Sequence, residues 1–153
     1  VTIGVKGRDN YDRIYSNTCH ELAHASHFSK VGTEYWNKYI MYIIESYIKT
    51  GGKSYGDGTA DGAGHCEVGE MWGYYMESKM YKERYGGNFP TFGTSYWFYP
   101  QIFRYLDERG MACSDFFGVM DASVTSRKDL KEALLESYPS RRTIIEQVFS
   151  RYQ

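Results

Sequence analysis

Three histidines and one glutamate lie close together in the segment TCHELAHASHF, residues 18–28. His20 and His24 are four residues apart in the pattern H-E-x-x-H, so a helix would place both imidazoles on one face, about 6 Å apart along its axis. Glu21 lies about 100° further round the helix, where its carboxylate can contact a water bound to the metal. Zinc lowers the pKa of such a water toward about 7, and the carboxylate can accept its proton. The spacing therefore predicts a zinc site with His20 and His24 as ligands and Glu21 as general base.

The third histidine has a different expected role. His27 falls on the same face, but it is about 10 Å along the axis from His20 and too far away to share one ion with it. We expect it to line the pocket or to orient a ligand. A solvent-exposed helix that carries H-E-x-x-H by chance is the alternative, but small and apolar neighbours favour a buried helix: Cys19, Leu22, Ala23, Ala25 and Phe28.

Catalytic zinc usually takes three protein ligands and keeps a fourth position for water or substrate. Candidates for the third ligand lie in the segment HCEVGEMWGYYME, residues 65–77. On a helical wheel, small residues surround Glu70 and would let that face approach another helix closely. Glu67 lies at the edge of a bulky stripe on the other side and remains the alternative. The stripe consists of Val68, Met71, Trp72 and Tyr75.

HELAH followed by a helix reading E-M-W-G-Y-Y-M-E resembles the gluzincin zinc metallopeptidases, and distantly the aminopeptidase-N-like group, whose glutamate helix reads E-G-F-A-x-Y-x-E. Glu70, Gly73, Tyr75 and Glu77 match the glutamate, small residue, tyrosine and final glutamate of that pattern. The resemblance implies a zincin-like fold in which His20, His24 and Glu70 bind Zn²⁺ and Glu21 is the general base. The 46 positions from His24 to Glu70 are a longer gap than the family usually has.

A peptidase of this type also needs a donor near the oxyanion that develops on the substrate. In the gluzincins a downstream tyrosine or histidine supplies it, and Tyr96, Tyr99 and Tyr105 follow the proposed ligands in this chain. Because the chain has 16 tyrosines, each one is expected to be a core residue or a residue at the edge of a cleft rather than a catalytic one. The role of oxyanion donor therefore stays unassigned.

The elements that must position these side chains are mainly α-helical. Alternating β-branched residues predict a short strand over 1–6, and apolar spacings of three and four predict helices from about Asp9 to Gly32 and over 33–50. The second of these is apolar almost all round, so we expect burial on several sides. A glycine-rich loop, 51–65, precedes a helix from about Ala63 to Tyr85. Further helices are expected near 95–109, near 126–137 and from Pro139, with an irregular stretch over 110–125.

Composition limits the class of protein. A chain of 153 residues predicts one domain, 1–153, and the absence of an initial methionine favours a fragment of a larger or processed protein with a possible upstream domain. Lys and Arg (18) nearly balance Asp and Glu (19), which argues against a nucleic acid partner. No apolar run approaches the roughly 20 residues of a membrane span.

The predicted function is a zinc-dependent peptidase acting on a peptide or protein substrate. A non-catalytic zincin-like module that binds or supports other parts of a larger protein is the alternative. A zinc hydrolase acting on non-peptide amides is a third interpretation.

Overall fold

The computed structural model describes residues 10–152, which are mainly helical, as predicted, and contain no strand. The predicted strand over 1–6 lies outside the described residues. Within the described range the helices are α1 (Tyr11–Thr50), α2 (Ala63–Tyr85), α3 (Gln101–Asp107), α4 (Cys113–Val119), α5 (Arg127–Ser137) and α6 (Arg142–Phe149), with a 3₁₀ turn at Pro139–Arg141 before α6. None of these helices has the length and apolar character needed to cross a membrane.

Helix α1 is divided at Gly32 into an N-terminal arm, residues 11–31, and a C-terminal arm, residues 33–50. Gly32 has φ 83° and ψ −179°, a conformation that glycine adopts without a steric penalty. Helical geometry resumes on both sides, so the two predicted helices are confirmed. The first arm begins where the Asn10 side chain accepts a hydrogen bond from the Arg13 backbone N–H (3.0 Å), and the second ends at Gly51 in the left-handed conformation.

Helix α2 lies at the centre of the molecule and buries opposite faces. One face packs against both arms of α1 through small residues and carboxylates. The other packs into the main hydrophobic core with residues of α3, α4, α5 and α6. Its bulky stripe forms this second face, as predicted, and none of its members is more than 5% exposed: Val68, Met71, Trp72 and Tyr75.

The expected burial of the C-terminal arm on several sides is wrong. Only one face is buried, through Tyr35, Trp36, Tyr42 and Ser46. No described element covers the opposite face, where large apolar side chains are 46–73% exposed: Ile40, Met41, Ile44, Tyr47 and Ile48. We call these five residues the apolar stripe of the C-terminal arm.

Two predictions for the second half of the chain also need correction. The helix expected near 95–109 is limited to α3, because Pro100 fixes its own φ and disfavours helical geometry in the preceding residue, Tyr99, whose φ is 46°. The stretch 110–125, expected to be irregular, contains α4. The Asp115 carboxylate begins this helix by accepting a hydrogen bond from the Ala112 backbone N–H at 2.8 Å. The helices expected near 126–137 and after Pro139 are present.

Candidate metal centre

The three predicted ligands meet where the N-terminal arm crosses α2. Nε2 of His20 lies 3.5 Å from Oε2 of Glu70, and Nε2 of His24 lies 3.5 Å from Oε1. One ligand atom from each residue lies within 4.8 Å of the others. Ligands held tetrahedrally at about 2.0–2.1 Å from a zinc ion are about 3.3 Å apart, close to the spacing of these pairs. The structure thus brings together two residues from one helix and one from another in an arrangement that fits a metal ion.

A missing side chain on α2 makes this approach possible. A Cβ atom at Gly73 would lie 2.8 Å from Cε1 of His20 and 2.8 Å from Cε1 of His24, closer than real Cβ contacts. Gly73 is one turn after Glu70, so the imidazoles pack over the glycine beside the carboxylate. The small residue that matched the gluzincin pattern therefore has a steric role here.

Several buried polar atoms at the site have no hydrogen-bond partner among the described residues. They are Nδ1 and Nε2 of His24 and Oε2 of Glu70. Burying such atoms without partners is costly, and native structures rarely leave them so. A metal ion bound by His20, His24 and Glu70 would satisfy two of these atoms, Nε2 of His24 and Oε2 of Glu70. The side chains present therefore fit a metal.

Glu77 orients the first histidine. Its Oε2 atom lies 3.2 Å from Nδ1 of His20, so Nδ1–H can donate to the carboxylate and leave Nε2 free to bind a metal. Burial lowers the pKa of His20, but the nearby carboxylates of Glu70 and Glu77 outweigh this and raise the pKa to about 9. Burial likewise raises the pKa of Glu70, but His20 and His24 hold it at about 2. Without a metal, therefore, the site has an anionic carboxylate beside a protonated His20, and a metal cation would replace that proton.

Tyr39 also contacts the centre, although no sequence signal distinguishes it from the other 15 of the 16 tyrosines. It projects from the C-terminal arm, and its hydroxyl donates a hydrogen bond to Oε1 of Glu70 at 2.5 Å. Its ring packs against Trp36, with the centroids 4.5 Å apart. Burial raises the pKa of Tyr39, and the neighbouring Glu70 carboxylate adds to this effect, so the phenol remains a donor at neutral pH.

Glu67, the alternative third ligand, lies outside the cluster. Its Oε2 atom accepts a hydrogen bond from the backbone N–H of Arg127 at 3.0 Å, and its Oε1 atom lies 3.3 Å from the Arg127 guanidinium. Burial raises its pKa, and Arg127 partly offsets that effect. Glu67 therefore connects α2 to the start of α5, which leaves Glu70 as the carboxylate that faces the histidines.

His27 is also outside the cluster, as predicted, but it does not line the cleft. It is fully buried in the angle between the two arms, with its ring 5.1 Å from that of Tyr35 and 5.9 Å from that of Trp36. Neither ring nitrogen has a hydrogen-bond partner in the described part of the chain. Burial lowers the pKa of His27 to about 4, and His24 and Lys30 contribute in the same direction, so the ring is neutral at physiological pH.

A cleft of about 750 Å³ opens beside the centre. His20 and Glu21 both border it, so the proposed general base faces the same space as the first ligand. Polar side chains of the first turns of α1 form one wall: Asn10, Asp12, Arg13, Ser16 and Asn17. Aromatic side chains dominate the opposite wall: Tyr55, Tyr74, Tyr81, Phe92 and Tyr96.

Among the tyrosines considered from the sequence, Tyr96 lines this cleft, whereas Tyr99 and Tyr105 pack near Tyr152 instead. Tyr55 and Tyr74 also line the cleft, although neither was predicted from the sequence as a site residue. The ring of Tyr74 contacts the imidazole of His20 edge-on, at 4.4 Å between centroids.

The loop that carries Tyr55 is firmly attached. The hydroxyl of Tyr42 and the indole N–H of Trp97 donate to the Tyr55 carbonyl at 2.7 and 2.8 Å. The glycine-rich loop therefore presents one fixed tyrosine to the cleft. The tyrosine that matched the gluzincin pattern, Tyr75, points instead into the core, where its hydroxyl donates to Asp107 at 2.7 Å.

Comparison of the chain with models of protein families, with curated proteins and with solved structures found no match. What the site can do must therefore be inferred from the chemistry of its own side chains.

Proposed function

We propose that this chain is a zinc-dependent peptidase of gluzincin type, with a zincin-like arrangement of a histidine helix and a glutamate helix. The observation that carries the proposal is the convergence of His20, His24 and Glu70 within 4.8 Å at the edge of a large cleft. Two imidazoles and one carboxylate are the ligand set of catalytic zinc in several peptidases, where the fourth position is left for water or substrate.

In this proposal His20, His24 and Glu70 hold Zn²⁺, which when bound acidifies a water and polarises the scissile carbonyl. Glu21 accepts the proton of the attacking water and passes it to the leaving amine. Glu77 keeps the Nε2 atom of His20 unprotonated for the metal by accepting the Nδ1 proton.

The tyrosines of the cleft can supply the hydrogen-bond donor that the developing oxyanion needs. Burial is the largest factor that raises the pKa of both Tyr55 and Tyr74, so both phenols stay protonated and can donate to negative charge on the carbonyl oxygen of the substrate. Tyr55 is fixed through its backbone, and Tyr74 contacts a proposed ligand. A preorganised donor of this kind contributes about 3–4 kcal/mol in other acyl-transfer enzymes.

The cleft supports a peptide as substrate. Its volume is within the usual range of about 300–1,000 Å³ for ligand sites. One wall offers amide, hydroxyl and charged groups that can bind peptide backbone, and the other offers aromatic surface for side chains. Away from the cleft the site is too buried to admit a substrate, because Glu70 is 1% exposed and His24 is 9% exposed.

The apolar stripe favours a second candidate, a zincin-like module that binds another protein or another part of a larger chain. Contiguous exposed apolar surface of this kind commonly marks an interaction site. Both functions can use the same metal, so only a test of hydrolysis separates them.

The test compares wild type with Glu21→Gln and with Glu34→Gln, a matched change at an exposed glutamate on the same helix. We expect about one zinc per chain in all three proteins by elemental analysis. Hydrolysis of a quenched fluorescent peptide library should fall by about 10²–10⁴-fold in Glu21→Gln and stay at the wild-type rate in Glu34→Gln. Full activity in Glu21→Gln would overturn the mechanism, and zinc-loaded wild type that cleaves no peptide would support the binding module.

A further inference from the structure

The two carboxylate oxygens of Glu70 have unequal surroundings. Oε1 accepts the hydrogen bond from the Tyr39 hydroxyl at 2.5 Å. Oε2 has no hydrogen-bond partner among the described residues and lies 3.5 Å from Nε2 of His20. Oε1 also lies 3.5 Å from Nε2 of His24, so one of its lone pairs accepts from Tyr39 while Oε2 has both lone pairs free.

Tyr39 is held firmly in this position. Its ring packs against Trp36 on the same arm and against the backbone of α2 at Gly69, where a Cβ atom would lie 3.5 Å from the ring. Glu70 is almost completely buried, so the hydrogen bond from the phenol to its carboxylate is screened little by water.

A carboxylate with both oxygens free can bind a metal through one or both of them. Binding through both would fill an additional coordination position, whereas a catalytic zinc needs one position open for water or substrate. A hydrogen bond to one oxygen occupies one of its lone pairs and fixes the orientation of the carboxylate, which disfavours the second mode.

We propose that Tyr39 is a positioning residue that holds the Glu70 carboxylate through Oε1 and thereby favours metal coordination through Oε2 over coordination through both oxygens. This role rests on the proposed zinc site and adds the C-terminal arm to the elements that build it. His20, His24 and Oε2 of Glu70 would then supply the three protein ligand atoms, and His20 and Glu21 border the cleft from which water or substrate would come.

The experiment compares Tyr39→Phe with Tyr35→Phe, both in the zinc-loaded full chain. Tyr35 is the matched control, because it is a buried tyrosine one turn earlier on the same arm and its hydroxyl donates to the Val124 carbonyl at 3.0 Å, away from the ligands. Zinc affinity is measured by competition with a chromophoric chelator, and the shell of nitrogen and oxygen neighbours is measured by X-ray absorption at the zinc edge.

In Tyr39→Phe we expect about one additional oxygen neighbour at zinc and a 10- to 100-fold weaker affinity, the usual effect of losing a group that orients a ligand. Tyr35→Phe should match wild type in both measurements. Unchanged coordination in Tyr39→Phe would overturn the proposal, even with weaker affinity, because Tyr39 would then be only a packing residue.

The two proposals fail in different ways. A wild-type protein that binds no zinc overturns both of them. A wild type that binds zinc and hydrolyses peptides, together with a Tyr39→Phe variant whose coordination is unchanged, overturns only the role of Tyr39.

Discussion

Substituting Gly73 by alanine adds one methyl group at the point where both histidines contact α2. That methyl would lie 2.8 Å from Cε1 of His20, 2.8 Å from Cε1 of His24 and 2.9 Å from Nε2 of His20. Ordinary contacts of this kind begin at 3.4 Å, so each imidazole must move by about 0.6 Å (3.4 − 2.8), or the two helices must separate.

The expected effect on zinc is larger than the effect on folding. Alanine is about 1 kcal/mol better than glycine inside a helix, whereas overpacking costs about 1–3 kcal/mol. The free energy of unfolding of the metal-free protein should therefore fall by about 0–2 kcal/mol. Metal–ligand distances tolerate about 0.2 Å, which is much less than the required shift of both imidazoles. We expect zinc affinity to fall by at least the 10- to 100-fold typical of disturbed ligand orientation.

Chelator competition measures the affinity, and urea unfolding of the chelator-treated protein measures the stability. Gly69→Ala is the matched control, one turn earlier on the same helix, because its Cβ atom would lie 3.5 Å from Tyr39 and 3.9 Å from Trp36, both ordinary contacts. It should gain up to about 1 kcal/mol in stability and keep wild-type zinc affinity. Wild-type affinity in Gly73→Ala, or an equal loss in both variants, would refute the steric argument.

The remaining predictions concern the residues around the centre. Glu67→Gln should keep wild-type zinc affinity but lose about 1–3 kcal/mol of stability in urea unfolding, because it weakens the buried contact with Arg127. Glu70→Gln should lose zinc binding. The reverse result would make Glu67 the ligand. The folded protein takes up a proton on His27 only near pH 4, whereas the unfolded chain does so below about 6.5. Between pH 7 and pH 5 the chelator-treated wild type should therefore lose about 2 kcal/mol of unfolding free energy that His27→Leu keeps. Parallel pH profiles of these two proteins would show that His27 is not buried in its neutral form.

The parts of the fold that the sequence predicted well are those where local signals and packing agree. Gly32 and the glycines after Thr50 and Tyr85 end helical segments because their positive φ values suit glycine, and they are visible in the sequence. The bulky stripe of α2 repeats at intervals of three and four, so its burial follows from periodicity. The choice of Glu70 over Glu67 followed from the small residues beside it, and the structure places Glu70 next to the histidines.

Apart from the local effects of Pro100 and Asp115, the predictions that failed depended on contacts between distant residues. Whether an apolar helix face is covered depends on which other elements pack there, and the apolar stripe has no partner among the described residues. The full burial of His27 and the hydrogen bond from Tyr39 to Glu70 are set by the angle between the two arms of α1. A helical wheel contains no information on that angle.

The long connection between His24 and Glu70 is part of the centre rather than a spacer. Gly32 turns the chain so that the C-terminal arm lies against the same α2 face as the histidines, and this brings Tyr39 to the carboxylate. The following loop is attached at the Tyr55 carbonyl, and its side chain reaches the cleft. The segment between His24 and Glu70, which is longer than in the gluzincin pattern, therefore supplies two further side chains of this site, Tyr39 and Tyr55.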